Sequence, residues 1–472
     1  RARLNPAVPL PMPVRGAHAN SDARASHPRR VLRAWLDRGL GARELARDGV
    51  ALAVGSLVGA VMQTALQVVV ARQTTLADFG ALATVMVWTN ALEMVTTARS
   101  GELALQTVGR DLVLSDTARA RATAVALERH ERHVYGAVYL AAAAIGWLMA
   151  GPLGLRQPWY VAGLLLSLPA QAGYGVSKAV FIASGRVREQ ARFEAAFWAA
   201  TFVCGAGGTL AAGIPGYIAG LVVANAFKSW LARRRTSALL PRDVRDAEAA
   251  RHLAEREAAG WGAFGWHSLV RNGLNYLAGQ VDLLILSAFA GLEAAAVYKV
   301  AKALATMPAR ASGPLWAAVR PRLLTAWHAA DARRVRDLVH APTVAMAMAL
   351  VVAAVPTVWF AGDVLAAVYG PRYAAAATPF LWLLAGTLCF HTITGWFGFW
   401  VVVAEQAGGG TLVSAVYLGS AALGGLFIGR GSPVHMAAVV AAAAVLASVG
   451  AWGLFLRHLR RLGAAGAGRS GG

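Results

Sequence analysis

The chain has 472 residues, of which 57% are hydrophobic and only 15% charged, at a mean hydropathy of +0.50. This composition excludes an ordinary soluble domain, in which roughly 25% of residues are charged. The formal net charge of +21 does not mark a nucleic-acid binder, because the arginines fall mainly in alternate loops beside apolar runs and no basic motif with interleaved aromatics occurs.

The apolar runs are about 18–25 residues long, enough to cross roughly 30 Å of hydrocarbon. In chain order, residues 1–48 read as a disordered basic cytoplasmic tail rich in Pro, Arg and Ala, with no signal-peptide core. Residues 31–47 carry a candidate interfacial helix with Leu32, Trp35 and Leu36 toward lipid. Twelve spans are then expected, at 49–70, 79–98, 134–154, 158–180, 193–212, 214–231, 267–289, 294–316, 341–361, 374–398, 411–429 and 433–456. The fifth and sixth run together around Gly213 and Gly216, and the eighth contains Pro308 and Pro314. The expected fold class is all-α and polytopic: a six-helix bundle over 49–231, a cytoplasmic linker over 232–262, a second six-helix bundle over 263–456, and a basic cytoplasmic tail over 457–472.

Orientation follows from the arginines. The tail before residue 49 holds ten Arg against four acids, and the loops after the second, fourth, sixth and eighth spans carry Arg110, Arg119, Arg121, Arg186, Arg188, the Arg233–Arg235 run, Arg320, Arg322, Arg333 and Arg334. The opposite loops hold little beyond Arg72, Arg156, Arg372 and Arg430, so both termini are expected in the cytoplasm. Cys204 and Cys389 fall inside spans and read as free thiols, so no disulfide framework, metal site or cofactor is implied.

The polar residues inside the spans carry the functional signal, since each charge there costs a few kcal/mol unless it pairs or lines a wet cavity. The seventh and eighth spans and their flanks contain Arg271, Asn275, Asp282, Lys299, Lys302 and Arg310. Lys299 and Lys302 are three apart and share a helix face. Counting depth from the turn at Ala290 places Asp282 level with Lys299, so these two are expected to pair; mutual neutralisation that pins two helices is the structural alternative. Arg271 and Arg310 lie near the cytoplasmic ends, where they either receive an anion or snorkel to headgroups. Lys302 is deeper and has no evident second acid. Asn90 and Glu93 in the second span form a candidate ion-coupling site or a helix–helix hydrogen bond. Lys178 and Glu194 read as interfacial, and His391 as packed. The chain has only four lysines, Lys178, Lys228, Lys299 and Lys302, none in a tail. A faint repeat aligns Gly80 with Ala296, which sets Ala83 opposite Lys299 and Met86 opposite Lys302.

At these residues the chain resembles the polysaccharide-biosynthesis flippases, the lipid-linked oligosaccharide translocases of the multidrug/oligosaccharidyl-lipid/polysaccharide exporter superfamily. The likeness lies in Val281-Asp282-Leu283-Leu284-Ile285-Leu286, in Ala290-Gly291 followed by Ala296-Val297-Tyr298, in Pro321 followed by Trp327-His328-Ala329-Ala330-Asp331, in Tyr369-Gly370-Pro371-Arg372-Tyr373, and in Ala71-Arg72 with Phe79-Gly80. It extends over about residues 49–456 through motif order and spacing. Ala296 stands where the family usually has Gly, a change that bears on local packing.

The resemblance implies two six-helix bundles in a V, alternating access and a cationic cavity. The expected function is a flippase that moves a polyprenyl-diphosphate-linked glycan from the cytoplasmic to the outer leaflet of a bacterial inner membrane. A polysaccharide polymerase or glycosyltransferases are candidate partners besides the lipid bilayer, and no catalytic residue is expected. A cation-coupled drug antiporter of the same superfamily is the alternative, followed by a membrane scaffold or a polysaccharide-assembly enzyme. The antiporter would favour acidic cavities, and the enzyme larger outer loops or paired acids.

Overall fold

The computed structural model describes residues 42–113, 116–149, 159–240, 273–274, 276–307, 331–392 and 407–469, with scattered positions in 316–329 and 394–401. The tail before 42, most of the 232–262 linker, and Arg271, Asn275 and Arg310 lie outside the described residues. Every regular element among those described is helical, as expected.

The first half contains α1 (Ala42–Gln73), α2 (Leu76–Val113), α3 (Thr117–Met149), α4 (Trp159–Leu165), α5 (Tyr174–Ala183) and α6 (Val187–Leu239). The second contains α7 (Val281–Phe289), α8 (Leu292–Ala305), α9 (Ala332–Tyr369), α10 (Ala377–Thr387), α11 (Ala407–Gly424) and α12 (Pro433–Arg469). Among the described residues, five helical stretches are long and apolar enough to cross a membrane by length and composition alone. The outward faces of the apolar helices are inverted relative to a soluble protein: Phe427, in one of the five, and Trp359, in the shorter apolar stretch Ala354–Tyr369, are each 80% exposed, as lipid-facing residues are.

Two kinds of departure from the expected spans have physical causes. α2 and α3 continue well past the bilayer limits read from hydropathy, up to Val113 and from Thr117. A small core of Ala104, Val108, Ala120, Leu127 and Val180 replaces lipid as their apolar environment. The buried Asp111 carboxylate accepts from Thr123 Oγ1 at 3.3 Å and faces Arg119 Nε at 3.4 Å. Hydropathy detects the membrane and not the helix, so these extensions are invisible to it.

α6 is a hairpin. Its 53 residues would measure roughly 80 Å if straight, far beyond a bilayer. The backbone turns at Ala212 and Gly213, and Gly213 takes φ 63°, a conformation costly for any residue with a Cβ. The arms then pack backbone to backbone: a Cβ on Gly208 would sit 2.1 Å from the Gly216 carbonyl oxygen, and one on Gly220 would sit 2.2 Å from that of Cys204. These small residues allow the close approach that lipid-embedded helices need for association. The fifth and sixth expected spans are the two arms.

Two expected spans are interrupted at membrane depth. The fourth breaks between α4 and α5, through a one-turn helix Ser167–Ala170 containing Pro169, and restarts at Gly173 with φ 85°. The Gly173 amide donates to Glu131 Oε2 at 2.6 Å. The seventh breaks at Gly279 and Gln280 before α7. Irregular backbone at this depth is tolerated where it lines a cavity or is buried in protein, and both breaks flank the cavities described next.

Candidate functional site

α7 and α8 form an antiparallel hairpin about Ala290 and Gly291. Side chains on a helix lean toward its N-terminus. Lys302 on α8 therefore reaches back toward the hairpin turn, while Asp282 on α7 leans away from it, and the two converge although Lys302 starts about one turn deeper. Lys302 Nζ lies 2.7 Å from both carboxylate oxygens of Asp282. This corrects the pairing expected from depth alone, which assigned Asp282 to Lys299: main-chain depths matched, but opposed side-chain lean adds an offset that favours Lys302.

The pair is embedded in further bonds. Tyr298, one turn before Lys302 on the same face, donates its hydroxyl to Asp282 Oδ2 at 2.5 Å. The Leu283 amide donates to Asp282 Oδ1 at 2.8 Å. In a continuous helix that amide would bond the Gly279 carbonyl; here Gly279 O accepts from Lys302 instead. The break in the seventh span thus supplies one lysine ligand, and the aspartate supplies the other. Asp282 is 2% exposed and Tyr298 fully buried, whereas Lys302 keeps 16% of its side chain open. A buried ion pair survives only when its remaining valences are filled, and the carboxylate here is satisfied from three sides.

Lys302 opens onto a cavity of about 300 Å³ in the second half, lined also by Lys299, Gln280, Thr306, Thr387 and Tyr417. α10 passes into a π-helical turn at Leu388–Thr392, which places Phe390 in the same wall. Such turns recur at functional sites. With two lysines to one aspartate, this lining is cationic.

A second cavity of about 400 Å³ lies in the first half. Gln63, Gln67 and Asn90 line both, so the two are neighbouring chambers. Glu93 and Glu194 also line the first-half chamber. Asn90 and Glu93, singled out in the sequence, are therefore brought to the cavity wall. Glu194, read from sequence as interfacial, also faces the cavity; it holds Lys178 at 3.0 Å and accepts from Gln190 Nε2 at 3.1 Å. Lys228, on the other arm of α6, places its ammonium 3.6 Å from the Tyr174 ring centroid and 3.8 Å from that of Phe197. The hairpin register of α6 sets Phe197 opposite Lys228.

Sequence reasoning missed Lys228, Gln63, Gln67, Gln171 and Tyr174. Their signals were present: Gln63 and Gln67 are four apart in an apolar span, Lys228 is one of only four lysines, and Pro169 with Gly173 marks a broken helix, a pointer to transporter binding sites.

At the end assigned to the outside, the halves are clasped. A Cβ on Gly80 of α2 would lie 1.8 Å from the Leu292 carbonyl oxygen at the start of α8. Arg72 donates to the carbonyls of Ala367 and Val368, and Arg372 donates back to that of Ala71. Phe79 meets Tyr373 edge-on at 6.2 Å. α2 and α8, the helices aligned by the faint repeat, face each other, and Ala83 and Lys299 line one small cleft. Among the described residues no group of three or more His, Cys, Asp or Glu is placed to hold a metal ion.

Residues 175–378 match the family model described as polysaccharide biosynthesis protein. The matched region contains Lys228, the α7–α8 hairpin and the outer Arg372 turn. No protein of curated function matches the chain. Among solved structures, a multidrug resistance MATE family transporter of the MOP superfamily in an inward-facing conformation superposes with a TM-score of 0.65 at 11% identity, covering 88% of this chain and 98% of that one. A MOP superfamily transporter from Pyrococcus furiosus, described as having a binding pocket of reverse polarity, superposes at 0.63 with 12% identity, covering 90% and 98%. A mutant of the Vibrio cholerae MATE transporter VcmN superposes at 0.59 with 14% identity, covering 89% and 98%. The chain thus has the twelve-helix, multi-pass membrane fold of MOP-superfamily transporters, and the expected resemblance to polysaccharide-biosynthesis proteins is borne out over residues 175–378.

Proposed function

We propose that the protein carries a polyprenyl-diphosphate-linked oligosaccharide from the cytoplasmic to the outer leaflet of a bacterial inner membrane. The observation that carries this reading is the second-half chamber, where Lys302 and Lys299 face a cavity at membrane depth. A cationic chamber suits a diphosphate, and a tail that stays in lipid lets only the head cross. In the structure Lys302 is held by Asp282 and Gly279 O. An arriving phosphate competes for that ammonium, so Lys302 exchanges one anion for another without ever being left bare in low dielectric. Arg271 and Arg310 are proposed to receive the head at the cytoplasmic mouth. Outward release then requires the Arg72 and Arg372 clasp to part while the halves rock about the site.

The second reading is a cation-coupled antiporter. The MATE fold of the structural neighbours favours it, with Glu93 and Glu194 in the first-half chamber. Fold likeness at this identity does not carry a substrate. The aromatic seat an organic cation would take is, moreover, filled by Lys228.

The test is a deletion strain. Complete lipid-linked oligosaccharide should accumulate on the inner leaflet, out of reach of an external glycan-binding probe, with surface polysaccharide lost. A normal lipid pool and surface glycan, with raised drug susceptibility, would move the assignment to the antiporter.

A further inference from the structure

The two chambers differ in what lines them. The second-half chamber is lined by two ammonium ions, those of Lys299 and Lys302. In the first-half chamber Lys228 sits between two rings, Glu194 is held by Lys178 and Gln190, and Glu93 completes the charged lining. Beside these charges the wall carries amides and an aromatic face: Gln67, Asn90, Gln171, Asn225 and Trp198. Amides both donate and accept, which matches vicinal hydroxyls, and an aromatic face beside them is the amphipathic surface a sugar ring needs. Its volume of about 400 Å³ lies within the usual range for small-ligand sites. The Trp198 seat is also cleared by the backbone: a Cβ on Gly59 would lie 2.6 Å from Trp198 Cδ1.

We propose that the first-half chamber is a carbohydrate subsite that takes the uncharged sugars of the transported head, while the lysines of the second-half chamber take its phosphates. Trp198 stacks on a sugar ring, and Asn225, Gln171 and Gln67 hydrogen-bond its hydroxyls. Asn90, shared by both chambers, sits at the junction of sugar and phosphate. The protein would then bind one substrate across both halves, so that its head couples the two bundles during rocking. This inference rests on the flippase reading above.

The test uses the full chain in lipid nanodiscs and two probes, sugar-free polyprenyl diphosphate and the lipid-linked oligosaccharide pool extracted from the host. Trp198→Ala and Asn225→Leu should each weaken binding of the glycosylated lipid by about tenfold, as loss of a central aromatic or polar anchor does, and leave the sugar-free lipid within about twofold. Lys299→Gln should weaken both. Asn225→Leu, on a half-buried position, keeps the test valid if Trp198→Ala does not fold. Unchanged or equally weakened binding of both lipids by the Trp198 and Asn225 variants would overturn the sugar subsite and leave the flippase reading standing. A wild-type protein that binds neither lipid, but binds ethidium in a Trp198-dependent way, would overturn both.

Discussion

The two chambers each bury a lysine, and they stabilise it by opposite means. Lys302 is matched by a carboxylate, a tyrosine-braced network and a backbone carbonyl released by a helix break. Lys228 is faced by two aromatic rings. The first arrangement is exchangeable, since one oxyanion can replace another at the same ammonium. The second is an internal lodging that fills an aromatic seat with the chain's own cation. A buried charge is therefore not by itself a site: its partners decide whether a ligand can take their place.

Targeted substitutions sharpen this contrast, beginning with the largest effect. Lys302→Ala should abolish export. It also strands Asp282 without its cation, a change that typically costs about 3–5 kcal/mol, to be read as a lowered melting temperature in detergent. The double variant Asp282→Asn/Lys302→Gln removes both charges and should recover most of that stability but no export. Gly80→Val comes next: its side chain would meet the Leu292 carbonyl oxygen, which a Cβ alone would approach to 1.8 Å. The outer closure should fail, and a cysteine placed at Ala83 should become reactive to an impermeant maleimide from outside.

Lys228→Met should cost about 2 kcal/mol, the scale of a desolvated cation–π contact, and less than Lys302→Ala, because no carboxylate bonded to it is stranded. A loss equal to that of Lys302→Ala would erase the distinction between the chambers. Arg72→Ala and Arg372→Ala come last, each removing bonds to backbone carbonyls at the outer rim, worth about 1 kcal/mol apiece at a solvated site. The expected readout is a modest rise in the same cysteine labelling, larger in the double variant.

Much of the architecture was legible because hydropathy and arginine placement are one-dimensional signals. The run from Val187 to Leu239 shows the limit: its two spans and their boundary at Gly213 were readable, but the backbone-to-backbone packing of the two arms was not. The extensions of α2 and α3 escaped because they exchange lipid for a protein core. In the site, Asp282, Lys299 and Lys302 stood out as charges among apolar residues. Their partnership did not, because counting main-chain depth neglects the direction in which side chains lean. Lys228 and the amide wall escaped for a different reason: their meaning depends on a hairpin register and a broken helix that only the fold brings together.

The most direct measurement is transfer by the purified protein itself. In liposomes loaded on one leaflet with the host lipid-linked oligosaccharide, the wild type should move the lipid to the other leaflet. The Lys302→Ala protein, inserted in equal amount, should not. Absent transfer by the wild type, or full transfer by the variant, would contradict the central claim that a cationic chamber in the second half carries the diphosphate across.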